Sequence, residues 1–186
     1  MLRAIGGFLL GAAVALAAVW KLAGGLVFNE RVSPFTVEET VARIQQNVQA
    51  AGNGWSLSGL RNPIKPLQAD GGNALPVLMI EACSPKYSGP ILKNDKVRYL
   101  SLLMPCKISV YKKNDGKVYI GTMNAGLIGS LYGSAVGDIM EKVVADQQKF
   151  LEMDPNKPAP PMILPKSGGD GGAGGGGAGG GSAGGC

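Results

Sequence analysis

The chain has 186 residues, a formal net charge of +5 and no histidine. Without imidazole, Ser-His-Asp catalysis, blue copper, facial-triad iron, mixed Cys/His zinc and histidine-ligated haem are excluded, and three cysteines are too few for a four-thiolate site within one chain. The basic residues are scattered, with no arginine-rich run or aromatic platform, so no nucleic-acid partner is expected.

Both ends read as non-globular, which leaves room for one domain of roughly 120 residues. Ala4 to Trp20 is an uncharged apolar run that resumes after Lys21 and continues to Phe28. It is long enough to span a bilayer, with Lys21 reaching back to the headgroups. A cleaved signal peptide, with Arg3 as its basic start and Ala15-Leu16-Ala17 as its cleavage site, is the competing reading. A retained anchor is the favoured one. It places the chain in the inner (cytoplasmic) membrane as a single-pass protein, with its domain on the periplasmic or extracellular side. Gly7 and Gly11 form a GxxxG spacing suited to helix pairing, and small residues are also ordinary in such segments.

Glu30-Arg31 marks emergence into water, and Ser33-Pro34 resets the chain. Thr36 and Glu39 then form a capping box. Val37, Val41, Ile44 and Val48 lie on one face of the helix that follows, and Gly52 stops it. Gln45, Gln46 and Asn47 read as its solvated side. Trp55 to Leu60 alternates as a half-buried strand with Trp55 and Leu57 on one face, and the proline-rich stretch Arg61 to Pro76 reads as a loop.

Val77 to Ile80 is a compact apolar strand ending at Glu81-Ala82, after which Ser84 and Pro85 are a helix N-cap and first helical residue. Cys83 therefore stands just ahead of a helix N-terminus, where the dipole and Lys86 would favour its thiolate; burial as a small apolar residue is the alternative. Val97 to Met104 is expected to be extended: a complete crossover by the preceding helix would start Cys106 on a parallel strand at the opposite sheet edge, whereas a run back, the favoured topology, brings Cys106 close to Cys83 and makes the pair a disulfide or redox candidate. The segments Lys107 to Lys112 and Lys117 to Met123 form a hairpin about Asn114-Asp115-Gly116, with Ile108 and Val110 inward and Ser109 and Tyr111 outward.

Gly126, Gly129, Gly133 and Gly137 recur at spacings that permit a close backbone approach, to a neighbouring element or to a ligand. They match neither the phosphate-binding nor the dinucleotide-binding glycine motif. Val136, Ile139, Met140, Val143, Val144, Phe150 and Leu151 mark the apolar face of a last helix. Five prolines between Pro155 and Pro165 read as a stiff spacer. From Ser167 the chain is almost pure glycine and alanine, which alone should be disordered, and it ends in Cys186, a candidate for an intermolecular disulfide.

The expected organisation is an anchor or signal peptide over 1–28, an α+β domain over 29–152, a spacer over 153–166 and a glycine-rich tail over 167–186. The element order expected in the domain is αββαββα around a mainly antiparallel sheet.

From Phe35 to Leu151 the sequence resembles family 302 of the domains of unknown function, in its membrane-anchored variety. The likeness is carried by Glu39-Thr40-Val41, Glu81 to Tyr87, Met104 to Tyr111, Asp115 to Tyr119 and Met123 to Leu127. It implies a compact α+β domain and no activity.

Three functions remain open. The first is a non-catalytic binding or accessory subunit of a larger membrane assembly or homo-oligomer. The second is thiol redox, sulfur-carrying or soft-metal chemistry at Cys83 and Cys106, with Met104 as a thioether ligand. The third is an enzyme using Glu81, Asp95 or Asp115, each of which also has a local structural explanation. The sequence identifies no cofactor.

Overall fold

A computed structural model of the protein describes Gly11 and residues 25–164. Five antiparallel strands make one sheet in the order β1-β5-β4-β3-β2, with β1 Phe28–Ser33, β2 Ser56–Arg61, β3 Val77–Cys83, β4 Cys106–Lys112 and β5 Val118–Met123. Helix α1 (Val37–Ala50) crosses from the β1 edge to the β2 edge, and α2 (Lys65–Ala69) interrupts the loop before β3. Helix α3 (Pro85–Leu92) and a 3-10 helix over Arg98–Leu103 connect β3 to β4. Helices α4 (Ala125–Leu131) and α5 (Ser134–Phe150) follow the β4–β5 hairpin. Among the described residues, none of the helices is long and apolar enough to cross a membrane, and the expected anchor lies almost wholly outside them.

Local chemistry accounts for the first helix. Thr36 Oγ1 accepts from the Glu39 amide while Glu39 accepts from the Thr36 amide, so two orphan donors are satisfied at once. Its stripe Val37, Val41, Ile44 and Val48 packs on Ile80, Ile108, Val110 and Ile120 from the alternating inward positions of the sheet. Phe150 and Val143 of α5 complete this core. Two helices thus cover one sheet face. On the opposite face Tyr111 stacks on Tyr119 with ring centroids 6.1 Å apart, and Lys113 lies over Tyr119 and pairs with Glu30 at 2.6 Å.

Several expectations need correction. Phe28–Ser33 is an edge strand rather than a passage into water, so the domain begins with β and not with α. Val97 to Met104 does not run extended: it coils as the 3-10 helix and reaches β4 through a cis Met104–Pro105 peptide. Ser84 occupies the N-cap position without a side-chain cap bond, because its hydroxyl donates to the Asn53 carbonyl at 2.6 Å.

The segment after α5 is not a free spacer as far as Leu164. It is strapped to α1 by the polar residues expected on its wet side. Gln45, 1 % exposed, donates to the Ile163 carbonyl and accepts from the Ile163 amide, both at 2.8 Å. Arg43 donates to the carbonyls of Asp154 and Lys157, and Asn47 to those of Phe150 and Glu152. These side chains replace water for a proline-rich segment that cannot pair its own backbone regularly.

Candidate functional site

The most elaborate polar centre among the described residues is Asp146, on the inward face of α5 between Val143 and Phe150 and 2 % exposed. Two further elements converge on it. The turn Gly52-Asn53-Gly54, all at positive φ, ends α1 and delivers Asn53 and Trp55, and α3 delivers Tyr87. The Asp146 Oδ2 atom accepts from Trp55 Nε1 at 2.9 Å, Tyr87 Oη at 2.9 Å and Asn53 Nδ2 at 3.0 Å. Its Oδ1 accepts from Lys149 Nζ at 2.9 Å. Around it Trp55 meets Phe150 edge-on and Tyr87 at a tilt, with ring centroids 5.0 and 5.7 Å away.

Burial alone would raise the Asp146 pKa. The bonds from Lys149, Trp55, Asn53 and Tyr87 outweigh it and bring the value down to about 2. The Tyr87 hydroxyl moves the other way, raised by burial and then by its bond to the carboxylate. A carboxylate so held neither takes up a proton near neutral pH nor has an exposed lone pair for a substrate. It therefore locks α5, α3 and the Asn53 turn together.

Beside this centre lies an apolar cavity of about 60 Å³, between one end of the sheet and the α3, 3-10, α4 and α5 segments. The connection from β3 to β4 returns to the end it left, so the strands are antiparallel neighbours, with Ala82 opposite Cys106. Cys83, Cys106 and Met104, three of the sulfur residues singled out from the sequence, line the cavity, joined by Met123 and Met140. Cys106 is a free thiol, so the candidate Cys83–Cys106 disulfide is not formed. Burial, slightly opposed by Lys107, pushes the Cys106 thiol up to about 11, away from the range of reactive thiolates. Cys83 is buried at the end of β3. Among the described residues there is no group of three or more His, Cys, Asp or Glu side chains placed to hold a metal.

The glycine series divides by position. A Cβ on Gly129 would come within 2.6 Å of Met140 Cβ and 3.3 Å of Gly137 Cα, so these two glycines let α4 and α5 touch backbone to backbone. Gly133 makes the turn between the helices at φ 79°, and Gly126 has ordinary contacts with Val144. Gly11 has open space around it, whereas Gly7 and Cys186 lie outside the described residues. Of the three acidic candidates, Glu81 faces Arg61 at 3.4 Å, Asp95 pairs with Arg98 at 2.7 Å, and Asp115 accepts from the Lys117 amide and the Tyr119 hydroxyl around the hairpin turn.

Asp146 was absent from the sequence reading. Its signal was available, since it falls in register with Val136, Val143 and Phe150 along the apolar stripe, where a carboxylate demands buried donors.

The family model described as "Domain of unknown function DUF302" matches residues 29–153. Among solved structures, the chain is similar to an uncharacterized conserved protein DUF302 from Bacillus stearothermophilus. The TM-score is 0.58 and the identity 20 %, over 68 % of this chain and 96 % of that one, a likeness of fold. No curated protein matches the chain.

Proposed function

Because the chain belongs to the DUF302 family of domains of unknown function, whose name assigns no activity, we propose its function from its own geometry. It is a membrane-tethered, non-catalytic binding domain that serves as an accessory subunit of a larger membrane assembly. The apolar run from Ala4 to Trp20 supplies the tether, with the domain on the periplasmic or extracellular side.

The observation that carries the binding reading is the pairing of an apolar cavity with a saturated polar centre. The cavity can accept a small apolar group, whereas the adjacent carboxylate is fully bonded and the adjacent Cys106 thiol is protonated at neutral pH. Such a site suits recognition better than proton or acyl transfer. Solubilising native membranes in mild detergent and sizing the complex tests this. The reading expects stoichiometric co-elution with a larger assembly, and is overturned if the chain elutes alone as a 19.1 kDa protein in its micelle.

The gathering of Cys106, Met104, Met123 and Met140 about one cavity favours a second reading, capture of a soft monovalent metal such as Cu(I). Metal binding would displace the Cys106 proton despite its high pKa. Titration with Ag(I) against a competing chelator expects one site, lost in Cys106→Ser. Equal uptake by the variant and the parent rules this reading out.

A further inference from the structure

The antiparallel register fixes which parts of the domain share one end. Phe28 opposes Met123, Cys106 opposes Ala82 and Cys83 opposes Ser56, so the first residues of β1, β4 and β2 lie at the same end as the last residues of β5 and β3. The chain leading back to the N-terminal apolar run leaves from this end. The Asn124 amide donates to the Val27 carbonyl at 2.8 Å, and its side chain donates to the Leu26 carbonyl at 2.9 Å.

A second, smaller core projects from the same end. Asp146 meets Trp55 and Tyr87 at the level of the sheet terminus. At 1.5 Å per residue, Ser134 to Met140 lie roughly 9 to 18 Å further along the α5 axis from that level. Helix α4 runs antiparallel alongside, with Gly126 against Val144 and Gly129 against Met140. Ile91, Leu100 and Val136 knit this lobe together from α3, the 3-10 helix and α5.

The lobe is apolar outside as well as inside. Leu102 is 84 % exposed and Leu131 70 %, and the exposed rings of Tyr99 and Tyr132 meet edge-on with centroids 6.1 Å apart. Leu26 and Phe28 are exposed where the chain departs. Lys93, Lys96 and Arg98 stand exposed on the α3 to 3-10 connection, where the acidic residue is Asp95, held by Arg98; the α5 part of the lobe adds one exposed carboxylate, Asp138.

We infer that this lobe is seated in the bilayer interface, with Leu102 and Leu131 entering the acyl boundary and Tyr99 and Tyr132 at headgroup level. The inference rests on the tether proposed above, and it adds which face of the domain meets lipid. Exposed leucines flanked by tyrosines and lysines have the composition of an interfacial anchor. The segment that departs beside them is the apolar run itself, and the basic residues suit anionic headgroups. The opposite end of the sheet, with Tyr111, Tyr119 and the Asp115 turn, points away from the membrane.

The five tyrosines provide the test. The full chain labelled with 3-fluorotyrosine is placed in phosphatidylcholine/phosphatidylglycerol nanodiscs, and 19F line broadening by a gadolinium-chelating lipid is recorded, with signals assigned by single Tyr→Phe exchanges. Tyr99 and Tyr132 should broaden several-fold more than Tyr111 and Tyr119. Leu102→Asp combined with Leu131→Asp should erase that difference while the protein stays in the disc. Equal broadening of all four, or none at Tyr99 and Tyr132 in a retained protein, overturns the seating and leaves the tether standing. Failure of the chain to remain in discs overturns both.

Discussion

Asp146→Asn probes the centre that joins three elements of the fold. The exchange keeps the shape, removes the charge opposite Lys149 and turns one acceptor into a donor beside donors. Lowering a carboxyl from an ordinary 3.8 to about 2 corresponds to about 2 kcal/mol of stability. The Asp146 side chain is 3 % exposed but that of Lys149 is 56 % exposed, so solvent screening trims the share of this figure that comes from the ion pair. The bonds from Trp55, Asn53 and Tyr87 are already part of that shift, so the expected loss stays at about 2 kcal/mol.

The sign with pH follows from the direction of the shift. The folded pKa lies below the unfolded one, so the stabilisation is complete above about pH 4 and is lost as pH falls toward about 2. The variant should therefore be weaker at neutral pH and lose less on acidification. Urea unfolding of the full chain in detergent, followed by Trp55 emission in a Trp20→Phe background, reads both effects. Equal stability at neutral pH together with an unchanged acid slope would refute the reasoning.

The paired substitutions Gly129→Ala and Gly126→Ala should separate in thermal unfolding. The first forces a Cβ into Met140 and costs about 1 to 3 kcal/mol, while the second meets only ordinary contacts and is neutral or slightly stabilising. Gln45→Ala breaks both bonds to Ile163, so limited proteolysis should cut between residues 155 and 163 in the variant while the parent resists; equal cleavage would deny the strap. Alkylation of Cys106 by iodoacetamide should stay slow through pH 9 and rise toward about 11. Half-maximal reactivity below pH 8 would contradict a thiol raised by burial.

What could be read from the sequence was whatever its chemistry decides locally. The Thr36/Glu39 box, the Val37 to Val48 stripe and the Asn114-Asp115-Gly116 hairpin each carry their structure within a few residues, and each forms as expected. Contacts at long sequence range were hidden. Gln45 and Asn47 look solvated in any helical projection, and they are claimed by partners more than a hundred residues away. Phe28–Ser33 pairs along one edge only and keeps most of its side chains exposed, so it lacks the buried alternation that marks a strand. The run Arg98–Leu103 is apolar enough for a strand, yet it fills the lobe as a 3-10 helix. For the candidate site, the sulfur residues were picked out individually, and only the antiparallel β3–β4 pairing brings them to one cavity.

The proposed tether is the segment that leaves the domain beside Leu26. The most direct measurement is alkaline carbonate extraction of membranes bearing the full chain, combined with protease treatment of intact spheroplasts. The chain is predicted to stay in the pellet and to lose residues 29–164 to protease added outside. A chain released by carbonate, or one protected until the spheroplasts are lysed, would contradict the tethered, outward-facing domain.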